Sequence, residues 1–409
     1  MLEIKTPPLS VEDTWTRLHA GLVAVADTEE LALPVSAFRV LAEPLRSSVM
    51  VPGFDNSAMD GYAFCSSNLA ADTRELPITL KVMAGDRPTT LIPDTAARIF
   101  TGAPLPLGAD TVITQEECEQ RDDTLILPAL WKVGAHIRKA GEDIRAGDII
   151  LEKGQRLTPQ AIGLATACGI ARVRVHRRVR VALLSTGNEL RETGGESLQT
   201  GQIYDSNRPM LAALLQHMGC EVESLGPIRD DLETTKAALH QAALNADLIV
   251  TTGGVSVGEE DHVKAALQAE GTLALWRVAI KPGKPLAFGR IGSAHFLGLP
   301  GNPVSSFVTF LLFVRPFVTA LQGETPKPLL GFPVAAGFTR PRPDRRREFV
   351  RAQLARRPDG QLEARAYPRQ GSGVLSSTTW ADGLVDIDAG ITVAMGDSVR
   401  FLPFTGLLS

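Results

Sequence analysis

Between Val179 and Leu321, apolar runs of strand length alternate with amphipathic segments of helix length, and no other feature constrains the fold as tightly. Val181-Ala-Leu-Leu184 reads as a buried strand, Met210 to Met218 as a helix ended by Gly219, and Glu221-Val-Glu-Ser-Leu225 as a second strand. Asp231 caps a helix through Leu244, and the strand Leu248-Ile-Val-Thr251 follows. A further helix starts near Glu260, and strands run from Leu273 to Ile280 and from His295 to Leu299. Asn302-Pro303 forms an N-cap and first-turn pair that opens a long helix to Leu321. Such alternation predicts an α/β domain with a mostly parallel sheet covered on both faces.

The flanking sequence has a different grammar. Ser10-Val-Glu-Asp13 resembles a capping box and opens a helix with apolar positions at Trp15, Leu18, Leu22 and Val23; a short helix is expected around Ser36 to Leu41. From about Pro44 to Asp148, short strands such as Pro77–Val82, Ala97–Phe100 and Thr111–Thr114 are divided by Gly, Pro and Asp clusters, the mark of a β-rich module. A helix returns near Leu157 to Gly169. The run Arg172 to Val179 alternates Arg with Val, which reads as a strand with a solvated basic face in preference to a nucleic-acid stripe. Beyond Pro326, helices disappear and segments such as Phe349–Leu354 and Gln361–Ala366 alternate, as in a small β-barrel. The expected architecture is multidomain α/β plus β: a discontinuous helical and β linker domain (1–46 and 146–178), an inserted β-rich domain (47–145), the α/β domain (179–325) and a C-terminal β-barrel (326–409).

Composition narrows the function. With 42 basic and 46 acidic residues the net charge is −4, so no bulk electrostatic case exists for nucleic acid or an anionic membrane. The start, Met1 to Trp15, has no apolar core and does not read as a secretory signal. The longest apolar run, Phe307 to Val314, falls well short of the roughly 20 residues of a membrane span. Cys65, Cys118, Cys168 and Cys220 stand far apart without a Cys-x-x-Cys pair, and the seven histidines are scattered; both patterns fit a reduced cytoplasmic protein and offer neither a disulfide framework nor a zinc site.

The informative residues fall where strands of a parallel sheet end, the place where such sheets bind ligands. Ser185-Thr-Gly-Asn-Glu189 follows the first strand, and Thr251-Thr-Gly-Gly-Val-Ser-Val-Gly258 with Glu259-Glu-Asp261 follows the third. Two glycines before hydroxyl donors at a helix start make an anion nest suited to phosphate, though the same loop also reads as a structural turn. Neither Gly-x-Gly-x-x-Gly nor a Walker pattern is present, which disfavours a dinucleotide-binding or P-loop enzyme. Lys281-Pro-Gly-Lys-Pro285 places two ammonium groups on a proline-stiffened loop, either a solvated turn or a polyanion site. Glu189, Asp205, Asp230, Asp231, Glu260 and Asp261 gather in the same loops. Singly they read as helix caps; as a set beside lysines and phosphate they suit Mg²⁺. Polar turns at Pro52 to Tyr62, Thr101–Pro104 and Gly141–Asp143 complete the inventory, with a nest at Gln370–Gly373 and six arginines between Arg340 and Arg351 that also read as a solvated face.

These residues carry a resemblance. Asp55-Asn-Ser-Ala-Met-Asp-Gly-Tyr62, Gly253-Gly-Val-Ser-Val-Gly258 with Asp261, Lys281-Pro-Gly-Lys-Pro285 and Gly298-Leu-Pro-Gly-Asn-Pro303 are similar, in that order and along essentially the whole chain, to the molybdopterin molybdenumtransferases, the MoeA proteins and the gephyrin E domain. The resemblance implies a cytoplasmic, elongated homodimer acting in molybdenum cofactor biosynthesis. It would take adenylated molybdopterin and molybdate, hydrolyse the adenylate with Mg²⁺, release AMP and leave molybdenum on the dithiolene. A molybdopterin adenylyltransferase and molybdoenzyme-maturation proteins are the implied partners.

By motif, Gly253, Gly254, Ser256, Pro300, Asn302 and Pro303 match the pterin and phosphate site. Lys281, Lys284, Ser305, Arg351 and Ser372 match positions that hold phosphate or molybdate. Glu189, Asp230 and Asp261 match acids near Mg²⁺ and the pterin, while Asp60, Thr101 and Asp143 match functional positions of the β module that a dimer partner can supply. Asn188 departs from an Asp, and Arg277 from a Lys, found in some members. Three rival readings differ in class: a non-catalytic pterin carrier or scaffold, an adenylyltransferase that consumes ATP, and a nucleic-acid binder resting on the arginine runs alone.

Overall fold

A computed structural model describes residues 7–70, 72–195, 197–254 and 262–408. The chain forms two compact units, one from residues 1–29 with 176–409 and the other from residues 30–175.

In the first unit, six strands line up in the order Glu221–Ile228, Arg180–Thr186, Leu248–Thr252, Ala294–Leu299, Pro285–Ile291, Gly271–Arg277. The first four are mutually parallel, Pro285–Ile291 runs against them, and Gly271–Arg277, antiparallel to Pro285–Ile291, runs in the direction of the first four again. Side chains on a strand alternate between faces, and here both faces are covered. Val181, Leu183, Leu248, Val250, Leu297 and Leu299 join one core with the helix Asn207–His217 and the helix 303–321. Ala182, Leu184, Ile249 and Phe296 join a second core with the helices Leu232–Asn245 and His262–Glu270. This two-sided burial is why the strand sequences are continuously apolar.

The strand Pro285–Ile291 is one that the sequence pattern passes over. It begins on a proline directly after the Lys281–Lys284 loop and contains Gly289, whose missing side chain lets Thr272 O approach to where a Cβ would stand only 2.1 Å away.

The helix expected from Pro303 to Leu321 is present but not uniform. Its centre, Phe310–Val314, widens to a π turn just before Pro316. Proline has no N–H for the Leu312 carbonyl, and Trp15 Nε1 donates to that carbonyl at 2.9 Å instead. This helix is long and apolar enough to cross a membrane by composition, yet 83% of it is buried inside the protein, so it is a core helix.

Toward the C-terminus, strands Arg347–Arg356, Leu362–Ala366, Phe332–Ala336, Ser398–Pro403 and Gly383–Ile387 pair in turn, and the last returns to the first to close a five-stranded barrel. Two short helices, Ser376–Trp380 and Phe404–Leu408, occupy a region where only strands are expected. The short strand Ile280–Lys281 adds in parallel to Arg347 and Glu348, tying the lysine loop to the barrel.

The second unit is β-rich, as expected. Its six-stranded mixed sheet runs Thr111–Thr114, Gly61–Phe64, Ala96–Ile99, Glu75–Val82, Thr124–Ile126, Glu119–Arg121. Tyr62 and Phe64 pack into one core and Ala63 into another. The helix Pro159–Ala167 starts on Thr158, whose Oγ1 accepts the Ala161 N–H. In place of a helix over Ser36 to Leu41 there is a three-residue 3₁₀ turn, Leu33–Val35. Phe38 has φ +64°, a left-handed conformation that a helix cannot continue through.

Candidate active site

A cavity of about 810 Å³ opens in the first unit at the carboxyl ends of the parallel strands. Thr186, Gly187 and Glu189 come to it from the strand Arg180–Thr186, Asp230 from Glu221–Ile228, and Thr252 to Gly254 from Leu248–Thr252. Pro300 to Asn302 come from the turn after Ala294–Leu299, and Pro303 and Ser305 from the helix that this turn opens. The loop Lys281 to Pro285, Arg346 and the segment Gln370 to Ser372 form the remaining wall.

Glycine is required where these loops cross. A Cβ on Gly253, at φ +88°, would lie 2.6 Å from Thr186 O, and one on Gly254, at φ +64°, 2.5 Å from Val263 Cγ2 and 2.8 Å from Thr186 Oγ1. The loop therefore lies directly on Thr186. Asn207, in the first turn of its helix, ties two further loops: Nδ2 donates to Thr252 Oγ1 at 2.8 Å and to Gly301 O at 2.7 Å.

The acids at this end have separate jobs. Asp231 is a cap, accepting the Thr234 N–H at 2.8 Å. Asp205 is buried and accepts from Ser185 Oγ, from the Arg208 backbone N–H and from Arg208 Nε at 3.0 Å. Among the described residues Glu189, Asp205 and Asp230 line the cavity, and of these Asp205 is committed to Ser185 and Arg208. Asp230 Oδ1, Thr186 Oγ1 and Asn207 Oδ1 are buried and have no hydrogen-bond partner among the described residues. Each such atom costs about 1–3 kcal/mol when nothing satisfies it, and these three, at a strand end, in a loop and in the first turn of a helix, belong to residues that line the cavity. Asn188 uses Oδ1 to accept the Asp230 N–H at 3.2 Å. Ser256, Glu259, Glu260 and Asp261 lie outside the described residues. Among the described residues no three of His, Cys, Asp and Glu gather as a ready-made metal set.

The opposite wall is cationic. Lys284 is exposed and makes no ion pair among the described residues. Lys281 Nζ stands 3.3 Å from Asp344 Oδ2 and 3.3 Å from Glu348 Oε1. Ser372 is held against the helix start at Pro303, its carbonyl accepting the Val304 N–H at 3.0 Å. Gln370 clasps the Arg351 backbone from both sides, accepting its N–H and donating to its carbonyl. Arg351 itself does not line the cavity. It lies behind the 370–372 segment, 1% exposed, donating to Ser377 Oγ at 3.1 Å and to Gly371 O at 3.2 Å. Burial lowers its pKa to about 10.

Three sequence candidates belong to the other unit. Asp60 Oδ1 accepts from the Thr101 N–H at 2.8 Å and from Thr101 Oγ1 at 2.7 Å, and these bonds hold its carboxyl below the usual range. Asp143 is exposed there. Sequence reasoning did not single out Asn207 or Arg346, and it named Gln370 as part of a nest without its contact to Arg351. Arg346 was hidden in a run of arginines, while the Asn207 and Gln370 contacts join segments 94 and 19 residues apart.

Comparison with known proteins bears on what this site is. The chain matches the family models of the MoeA N-terminal region (domain I and II) over residues 9–169, a probable molybdopterin binding domain over 182–320, and the MoeA C-terminal region (domain IV) over 333–404. It is 39% identical to a molybdopterin molybdenumtransferase of Haemophilus influenzae, across 98% of this chain and 100% of that one. It is 38% identical to another of Synechococcus elongatus, across 86% and 89%. A crystal structure of the molybdopterin biosynthesis MoeA protein of Pyrococcus horikoshii superposes with a TM-score of 0.78 at 30% identity, covering 97% of this chain and 99% of that chain.

Proposed function

We propose that this chain, which belongs to the MoeA family of molybdopterin molybdenumtransferases and is an enzyme of molybdenum cofactor biosynthesis, transfers molybdenum from molybdate to adenylated molybdopterin with release of AMP. One observation carries the reading: a single cavity joins an oxygen-lined acidic end, Glu189 and Asp230, to a cationic end, Lys281, Lys284 and Arg346. A substrate with a phosphoanhydride and a second, tetrahedral oxyanion needs both ends. The Thr252–Gly254 and Pro300–Pro303 turns supply backbone for the pterin phosphate, and Lys281, Lys284, Ser305 and Ser372 receive the oxyanion. Arg351 acts from behind, shaping the Gly371–Ser372 wall.

Mg²⁺ fits the acidic end. The oxygens of Asp230, Thr186 and Asn207 that have no partner among the described residues are hard, neutral or anionic donors of the kind this ion takes, and Glu189 lines the same end; Asp261, outside the described residues, is the further candidate by motif. When bound it would withdraw charge from the anhydride. The chain's own contribution is to hold the anhydride phosphates on fixed backbone, to offset the charge growing on the departing AMP with Lys281 and Lys284, and to keep both substrates in register. No Ser-His-Asp or Cys-His set lines the described cavity, and the reading has a water or a molybdate oxygen attack phosphorus directly. Label from ¹⁸O-molybdate entering AMP would identify molybdate as the nucleophile; its absence would identify water.

In this reading Asp60, Thr101 and Asp143, residues of the inserted β-rich domain expected from the sequence, complete the site from a partner copy of a homodimer. The adenylate would be delivered by a molybdopterin adenylyltransferase and the product passed to molybdoenzyme-maturation proteins, in the cytoplasm. The test is AMP release from adenylated molybdopterin with and without molybdate and Mg²⁺. Release that needs both supports the reading; tight pterin binding with no AMP under any condition would replace it with a carrier.

A further inference from the structure

The two lysines of the 281–285 loop are held differently, and the difference lies in the barrel. Lysine is a point charge on a flexible four-carbon stem, so an ammonium that must meet a small oxyanion at a fixed place needs an external restraint. Lys284 has no ion-pair partner among the described residues. Lys281 has two, both from the barrel: Asp344 Oδ2 and Glu348 Oε1, each at 3.3 Å. Glu348 is the direct neighbour of Lys281 in the parallel pairing of Ile280–Lys281 with the barrel strand, and it is buried.

Asp344 does more. It also accepts from Arg346, through Oδ1 from the backbone N–H at 3.0 Å and from Nε at 3.1 Å, and through Oδ2 from Nη2 at 3.1 Å. Its own carbonyl is fixed by the Gly390 N–H at 2.7 Å. One carboxylate thus grips two cavity-lining cations from separate segments, Lys281 and Arg346, whose mutual repulsion would otherwise drive them apart. The bonds from Arg346, aided by Lys281, keep the Asp344 carboxyl down at about 2, so it remains charged at any working pH.

We propose that Asp344 is a positioning residue for the molybdenum-transfer reaction, assisted by Glu348: it sets the spacing of Lys281 and Arg346 so that the oxyanion meets both at once. The proposal rests on the reading of this cavity as the molybdate site. It carries a specific consequence, because Asp344 is negative and close to where an anion binds. It weakens ground-state attraction while improving placement. Replacing it by Asn should therefore separate the two effects, with binding kept or strengthened and turnover lost.

The test compares wild type, Asp344→Asn and Glu348→Gln in two readouts. The first is competitive acetylation by acetic anhydride, followed by peptide mass spectrometry. The Lys281-to-Lys284 labelling ratio should rise about fivefold in Asp344→Asn, the size of one partly exposed ion pair. The second is molybdenum transfer: kcat should fall about tenfold, as for a slight misplacement of reacting groups, while the KM for molybdate does not rise. Glu348→Gln should move both in the same direction. An unchanged labelling ratio would overturn the proposal, and so would a joint loss of kcat and rise of KM with a fall in Tm, the mark of a merely structural role. A raised ratio in a protein whose wild type transfers no molybdenum would uphold the clamp and overturn the assignment of the cavity to molybdate.

Discussion

Asn207 donates its side-chain amide to the Gly301 carbonyl at 2.7 Å, and because a carbonyl only accepts, that one bond fixes which way the amide faces. Its second hydrogen goes to Thr252 Oγ1, so the loops after two neighbouring strands are pinned to one residue and Oδ1 is the atom left over. Asn207→Asp keeps the shape and loses both donors. We expect a lower Tm and pterin-adenylate binding weaker by about 1–3 kcal/mol, roughly fivefold to 150-fold. Calorimetric melting and a binding titration check this; affinity equal to wild type would contradict it.

Gly253→Ala should act through backbone geometry alone. At φ +88° a side chain is strained, and the added Cβ would lie 2.6 Å from Thr186 O, a backbone atom that cannot swing away. The expected cost is about 1–3 kcal/mol of unfolding free energy, with loss of phosphate-dependent binding. Urea denaturation measures the first and a titration with inorganic phosphate the second. Ala at Gly21, another positive-φ glycine but with nothing within 4 Å of its Cβ, is the milder control.

His295 provides a pH signature outside the site. It is largely buried beside Phe288 and Phe317, and Nδ1 has no partner among the described residues. Burial, reinforced by Arg290 and opposed by Asp247, pushes its pKa from 6.5 down to about 4. The unfolded chain therefore binds the proton first as pH falls. Full stability holds above about pH 6.5, and the contribution is lost progressively as pH falls from there toward about 4. His295→Leu should flatten the Tm-against-pH curve over that window; a slope identical to wild type would refute the assignment.

Lys284 is exposed, lines the cavity and makes no ion pair among the described residues. Lys284→Ala should raise the KM for molybdate by about tenfold or more, the loss of one charge-assisted hydrogen bond. It should also reduce the salt dependence of binding measured between low and physiological ionic strength. An unaltered KM would remove Lys284 from the oxyanion end.

What the sequence reveals and conceals follows from distance along the chain. The parallel sheet is legible because a strand buried on both faces must be apolar throughout, as Val181 to Leu184 is. The motif loops are legible because glycine at Gly253 and Gly254 answers a local steric demand. The strand Pro285–Ile291 is not, since proline and glycine at Pro285 and Gly289 read as turn residues and only its two neighbours make it a strand. The acids could not be sorted either: Asp230 and Asp231 are adjacent, yet Asp231 caps a helix while Asp230 presents an oxygen with no partner among the described residues. Arg346 and Arg351 likewise share a run, but the first lines the cavity and the second is buried behind it.

The central claim is that this cavity loads molybdenum onto the pterin. The most direct measurement incubates the full-length protein with adenylated molybdopterin, molybdate and Mg²⁺, and assays AMP and pterin-bound molybdenum together. The account predicts that both appear in step and that omitting molybdate abolishes the molybdenum-bearing product. Pterin retained without AMP or molybdenum, under every condition, would contradict it.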